Sequence, residues 1–336
     1  RRVACCMLDR ADACAAPPPR FSGLAPAPLA VSLASSDSAC SINRTLRLAL
    51  DFLAPSTQLV VHIGCGSPAT TEERKALGAI SPRVLVNPRC ESVDPKDGTL
   101  LHAHLLNMRL LAAAPPGAVL LASADMRWLA PGAEGAIARR VSSAHRASWV
   151  SWEVALDAIP PNRRAAFGRG SYAAELRRVA GAAGGRLAVQ KHEGSFYPWP
   201  VIARFLAHMC ARGGLGRRGD LGLGRRLRQL RAVVLRPGLS LAAEESLLPT
   251  FAATLLNSSG HARGSVRELD ETLDEGVLCG FPAVLGREQC GGGHRRARSV
   301  PVRVCADCGA SRRRRPCVGE VVFARKVEGE GAHATC

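Results

Sequence analysis

The side chains with most chemistry to offer are a few carboxylates set beside aromatic or basic neighbours. Glu193 lies in the run Lys191-His192-Glu193-Gly194-Ser195-Phe196-Tyr197-Pro198-Trp199. A carboxylate in such a place can take the proton from an attacking hydroxyl, as inverting glycosyl transfer requires. Phe196, Tyr197 and Trp199 would offer the flat faces on which sugars stack. The alternative is a structural turn with core aromatics. Glu244-Glu245 stands ahead of Pro249-Thr250. Adjacent carboxylates on a helix point in different directions, so one at most faces a given site and the other is expected in solvent. Glu245 is the second candidate for the base. Asp125-Met126-Arg127 ends an apolar run. A D-x-D sequence there would hold a divalent metal on a diphosphate through two carboxylates. With Arg127 in the second place no divalent metal is expected, and Asp125 is left to accept hydrogen bonds from a ribose, sugar or acceptor hydroxyl. A turn cap or an arginine partner is the plainer role for it.

Two further motifs compete for the assignment. Val60-Val61-His62-Ile63-Gly64-Cys65-Gly66-Ser67 resembles the strand and G-x-G turn that open S-adenosylmethionine methyltransferases, where glycine allows close backbone approach. Pro68 occupies the third glycine position, and the next strand ends in Asn87-Pro88, with no carboxylate for a ribose. Cys305-x-x-Cys308 and Cys317, with Cys290, His294, His333 or Cys336 as a fourth ligand, has the outline of a zinc ribbon. Disulfides are the other fate of these cysteines.

These residues need elements to hold them. Residues 100–111 read as a helix, with Leu101, Leu105 and Met108 on one face and His104 and Asn107 on another. Pro115-Pro116-Gly117 stop it, and residues 118–122 form a short buried strand that delivers Asp125 to a carboxyl end. In an open α/β sheet that is where ligands bind. Upstream, a helix is expected over 41–53, a strand over 58–63, a helix opened by Thr70 over 70–77, and a strand over 83–87. Downstream, residues 149–156 are ambiguous. Helices are expected over 171–183, 201–212 and 242–256, and strands over 186–190 and 320–327. In the helix over 201–212, Ile202, Phe205, Leu206 and Met209 face inward, with Arg204, His208 and Arg212 outward. The β-α-β-α-β order predicts an α/β fold, with a mainly parallel sheet flanked by helices in the Rossmann-like manner. Residues 1–43, rich in Ala, Pro and Ser, read as a stem or linker. Residues 44–336 read as one catalytic domain with low-complexity insertions near 213–231 and 291–315.

The bulk numbers set limits. A chain of 336 residues with 47% hydrophobic content can bury a real core. A net charge of +17 invites a nucleic-acid reading. However, only Lys75, Lys96, Lys191 and Lys326 among the basic residues are lysines, and Ala, Gly and Pro abound, so the charge reads as compositional and no nucleic-acid partner is expected. No uninterrupted apolar run is long enough to span a bilayer. The chain begins at Arg1 without Met, which leaves room for an anchor segment ahead of it. Thirteen cysteines and the sequons at Asn43 and Asn257 fit a secretory, oxidising route, and an odd count leaves a thiol over.

Several stretches together resemble the core-2/I-branching β-1,6-N-acetylglucosaminyltransferases and their plant and algal relatives. They are Val60-Val61-His62-Ile63, residues 98–111 and 118–132, the run from Lys191 to Pro198 with Phe205-Leu206-Ala207-His208-Met209, residues 243–250, and residues 321–327. The likeness spans roughly residues 46 to 327. It implies a GT-A-type fold and metal-independent transfer from a UDP-sugar to a glycan or glycoprotein hydroxyl, in the Golgi lumen. With an anchor the protein would be of type II. It also implies that Arg325 and Lys326 hold the diphosphate, as arginine's fork of donors suits phosphate oxygens. In this reading His62, Gly64 and Asp125 complete the nucleotide-sugar side. Trp128, Phe196, Tyr197 and Trp199 form the acceptor side, with Glu193 or Glu245 as base and no cofactor. The alternatives are the methyltransferase, a basic zinc-ribbon nucleic-acid binder, and a non-catalytic protein on the transferase fold.

Overall fold

The computed structural model describes residues 27–91, 93, 99–124, 127–128, 134–135, 152–155, 171–189, 192, 194–212, 233–236, 239–241, 243–255, 262–264, 283–284, 300–303 and 321–325. The chain enters through β1 (Leu29–Ser35) and α1 (Ala39–Phe52), then β2 (Gln58–Ile63), α2 (Thr71–Ala79), β3 (Val84–Val86), α3 (Thr99–Leu111) and β4 (Ala118–Ala122). Strands β5 (Arg127–Trp128) and β6 (Trp152–Ala155) precede α4 (Ser171–Ala182), β7 (Arg186–Val189), β8 (Phe196–Pro198) and α5 (Trp199–Arg212). The remainder holds β9 (Val233–Arg236), β10 (Leu239–Leu241), α6 (Ala243–Leu255), β11 (Ala262–Gly264), β12 (Ala283–Val284), β13 (Val300–Arg303) and β14 (Val321–Arg325).

The central sheet runs β3-β2-β1-β4-β8. Its first four strands are parallel, and β8 closes the edge antiparallel to β4, with Leu120 opposite Phe196. This is the mainly parallel α/β architecture expected from the sequence. The side-chain period of two divides each strand between two helical layers. Leu29, Val31 and Leu33 of β1, with Leu59, Val61 and Ile63 of β2, pack on Ile42, Leu46 and Ala49 of α1 and Leu77 of α2. Ala30, Val60, Val119 and Leu121 face the opposite layer, built from α3, α4, α5 and α6. Local chemistry marks the helix starts. Ser38 caps α1 by accepting from the Ser41 amide, and Thr70 with Glu73 forms a reciprocal capping box on α2.

Smaller sheets surround this layer: the β9–β10 hairpin, β11-β6-β7, and the antiparallel β12-β13-β14-β5. Helix α6 docks on β7 through Thr250, whose hydroxyl accepts from the Ala188 amide at 3.0 Å and donates to the Ala188 carbonyl at 3.2 Å. Helices α4 and α5 are tied by Glu175, which accepts from Arg178 and from His208. Burial alone would raise the Glu175 carboxyl, but the hydrogen bonds and positive charge of Arg178 and His208 outweigh it and hold the group below its usual range. His208, expected outward, is therefore half-buried in a helix junction.

Three sequence expectations are corrected here. The stem drawn over residues 1–43 overlaps β1, the middle strand of the parallel core. A strand covered on both faces can be built from Leu, Ala, Val and Ser alone, so it carries no polar alternation to set it apart from an Ala/Pro/Ser-rich linker. The expected low-complexity insertion near 291–315 contains β13, which pairs with β14 through Val302 opposite Phe323. Phe196–Pro198, read as a sugar platform or as part of a structural turn, is a strand. The expected insertion over 213–231 lies outside the described residues.

Candidate functional site

The order β3-β2-β1-β4 places a reversal of chain direction at β1: the chain winds outward through β2 and β3, then crosses to β4 on the other side. The carboxyl ends of β1 and β4 flank that switch point, where α/β sheets leave a crevice for a ligand. Ser35 ends β1 with its hydroxyl donating to Asp37 Oδ2 at 2.8 Å and accepting from the Asp37 amide at 3.0 Å. The first turn of α1 follows at the same edge, its Ser41 amide capped by Ser38. Thr45 of α1 donates to the Ala124 carbonyl at 2.8 Å, which fixes α1 to the chain just beyond β4. The Ser123 hydroxyl beside it is buried and takes no partner from the described residues.

Alongside β4 runs the segment that carries the expected base. The Ser195 carbonyl accepts from the Leu121 amide at 2.8 Å, and the Gly194 amide donates to the Leu121 carbonyl at 2.7 Å. Gly194 has φ of 83°, a left-handed conformation that only glycine adopts without cost. His192 is buried and its ring centroid lies 6.0 Å from that of His104 on α3. The two residues that flank Glu193 thus sit at the carboxyl half of β4. Glu193 itself lies outside the described residues, as do Asp125, Lys326 and the cysteines of the ribbon-like motif.

Beneath the edge is a buried polar seam that the sequence reading only half saw. Asn107 of α3 donates through Nδ2 to Ser32 Oγ at 3.1 Å, to the Leu33 carbonyl at 3.0 Å and to the Val60 carbonyl at 3.1 Å. Asn87, at the end of β3, donates to Asn107 Oδ1 at 3.1 Å, and Ser32 Oγ shares a 2.8 Å hydrogen bond with His104 Nδ1. His104 and Asn107 on one helix face were the visible half. Ser32 was hidden in the supposed linker, and Asn87 was noticed only as a missing carboxylate.

Several expected ligand contacts are corrected by burial. His62 is 0% exposed within β2. Its Nε2 accepts from the Glu91 amide at 3.3 Å, while burial, opposed by the Glu91 backbone and reinforced by the Arg74 charge, lowers its pKa to about 4. The imidazole is thus covered and held neutral within β2. Gly64 is closely covered by the protein itself: a Cβ there would lie 3.0 Å from Val93 Cγ2 and 3.3 Å from the Val93 amide nitrogen. Arg74 caps the same turn, donating to the Ile63 carbonyl at 2.8 Å and to the Gly64 carbonyl at 3.1 Å. Of the G-x-G motif, Gly64 is thus covered by its own chain, whereas a Cβ at Gly66 would meet nothing within 4 Å.

Phe196 and Tyr197 are 0% exposed, one in each layer of the core, and cannot stack on an acceptor sugar. Trp199 opens α5 half-buried against the same core. Of the paired carboxylates, Glu244 is the covered one at 1% exposure, and Glu245 is half-buried rather than solvated.

At the far end of the chain, β14 pairs antiparallel with β5, setting Ala324 opposite Arg127 and Phe323 opposite Trp128. Arg325 follows Ala324 at the end of β14. Among the described residues no group of three or more His, Cys, Asp or Glu is placed to hold a metal ion, and no helix is long and apolar enough to cross a membrane.

No family model and no curated protein matches the chain. Among solved structures, it is similar to the mannosyltransferase PcManGT from Pyrobaculum calidifontis, in complex with GDP-Man and Mn2+, at 15% identity and a TM-score of 0.32. That match covers 56% of this chain and 48% of the mannosyltransferase. It is also similar to S. aureus TarS at 12% identity and a TM-score of 0.26, covering 60% of this chain and 43% of TarS. The chain spans less than half the length of either. Likenesses of this size assign neither a family nor a ligand.

Proposed function

We propose that the chain is an inverting glycosyltransferase that moves a sugar, N-acetylglucosamine in the first instance, from a UDP-sugar to a hydroxyl of a glycan or glycoprotein. The observation that carries this reading is the pairing of β14 with β5. It returns the C-terminal strand, and with it Arg325, to the chain that leaves the switch point after β4. In this reading Arg325 would meet the diphosphate without a cation, since its fork of donors suits phosphate oxygens.

In the mechanism, Glu193 takes the proton of the acceptor hydroxyl as its oxygen attacks the anomeric carbon. The bond from that carbon to the diphosphate oxygen breaks on the opposite face. The negative charge gathering on the diphosphate is met by Arg325 and Lys326, and Asp125 accepts from a donor or acceptor hydroxyl. Glu245 is the second choice of base. We place the reaction in the Golgi lumen. The disulfide at Cys40 supports an oxidising compartment.

The test is Glu193→Gln, assayed by UDP release from UDP-N-acetylglucosamine with a panel of glycan acceptors. Turnover should fall by about 10² to 10⁴ with UDP affinity retained. Unchanged turnover would remove Glu193 from the mechanism.

A further inference from the structure

Cys65 and Cys90 stand in the loops that leave the neighbouring parallel strands β2 and β3. The Cys65 thiol donates to the Cys90 carbonyl oxygen at 2.5 Å, and the Cys65 amide donates to the Glu91 carbonyl at 3.0 Å. A carbonyl oxygen lies about 2.4 Å from its own Cα, so Cys65 Sγ is within about 5 Å of Cys90 Cα. The Cys65 thiol thus lies against the backbone of Cys90, and a disulfide would need the two Cα atoms about 4.4 to 6.8 Å apart. The loops are held in this relation without any covalent link. The Glu91 amide donates to His62 Nε2 at 3.3 Å, and Val93 fills the space over Gly64. Both cysteines are thiols in this structure and both are half-exposed, within reach of a small oxidant. Cys40, at the start of α1, is already disulfide-bonded.

We propose that Cys65 and Cys90 are a disulfide-forming pair that locks the Gly64–Ser67 turn to the loop after β3. A low-molecular-weight disulfide such as oxidised glutathione supplies the oxidant. One cysteine, as its thiolate, attacks it to form a mixed disulfide and release one thiol. The second thiolate then attacks the protein sulfur and releases the other. Two protein thiols lose two protons and two electrons, and the oxidant is reduced to two thiols. The bond closes a chain segment containing α2 and β3, and so restricts the unfolded chain. It also makes one wall of the carboxyl edge covalent, next to the crevice at β1 and β4.

The experiment is to equilibrate the whole chain in a glutathione redox buffer, alkylate the remaining thiols, and digest with trypsin. Cleavage at Arg74, Arg83 and Arg89 separates the two cysteines. The expected result is a Cys65–Cys90 linked peptide pair that is lost in Cys65→Ser and in Cys90→Ser. A melting temperature a few degrees lower in either variant under oxidising conditions should accompany it. Cys65→Ser keeps a hydroxyl donor for the Cys90 carbonyl, so that variant separates loss of the covalent bond from loss of the hydrogen bond. Full alkylation of both cysteines while Cys40 stays bonded would overturn the proposal, as would linkage of either one to a different cysteine.

Discussion

Asn107 of α3 and Ser32 of β1 are joined at 3.1 Å inside the sheet–helix layer, and the same carboxamide nitrogen reaches the Leu33 and Val60 carbonyls. One side chain thereby fixes the register of a nearly all-buried helix against two parallel strands. A helix covered with Leu, Met and Ala on most sides could otherwise slide by a turn at little cost. Buried polar groups penalise every register but the one that satisfies them.

Asn107→Ala should lower the stability of the protein to urea by about 1 to 3 kcal/mol, because Asn87 loses its acceptor while buried. Asn107→Leu should not recover that loss, since its volume brings no donor for the two carbonyls. The denaturation midpoint at constant slope is the readout. A midpoint equal to wild type in both variants would contradict the role assigned to the seam.

Gly64→Ala should destabilise by about 1 to 3 kcal/mol, the usual range for overpacking, because its Cβ would press on Val93 at 3.0 Å. Val93→Ala should partly restore stability to the Gly64→Ala protein, as a double-mutant cycle would measure. If Gly64 existed to admit a ligand, Gly64→Ala would leave the free protein's stability unchanged.

Stability should fall as pH drops from about 6.5 to about 4. An unfolded His62 takes up its proton near 6.5, whereas the folded, desolvated ring does so only near pH 4. The stability it contributes is therefore full above 6.5 and is lost across that window, in total about 3 kcal/mol. Glu175, whose carboxyl is held low by Arg178 and His208, contributes stability above the ordinary carboxylate range that is lost as pH falls further. His62→Gln should flatten the first part of the profile and leave the second. An unaltered slope between 6.5 and 4 in that variant would contradict the assignment.

Much of the parallel core was legible in the sequence, because 58–63 and 118–122 are apolar runs bounded by turn residues and 70–77 opens with threonines ahead of Glu72 and Glu73. Strand β1 was not, since Leu29–Ser35 shares the composition of the linker-like segment before it. The site was less legible than the fold. Periodicity placed His104 and Asn107 on one face but could not say that Ser32 and Asn87 would meet them from strands far away in sequence. Aromatic residues near a carboxylate read equally well as a sugar platform or as core. Phe196 and Tyr197 went to the core because the strand they form closes the edge of β4 between two helical layers. The pairing of β14 with β5 joins segments about two hundred residues apart, and no local pattern encodes it.

The most direct test of the central claim is a thermal-shift titration of the protein with UDP, with and without EDTA. UDP at about 100 times its dissociation constant should stabilise the fold by about 2.7 kcal/mol, visible as a melting temperature raised by a few degrees. The rise should be the same with EDTA present and should shrink in Arg325→Ala. No shift with UDP under either condition would contradict the nucleotide-sugar reading, and a shift abolished by EDTA would contradict metal independence.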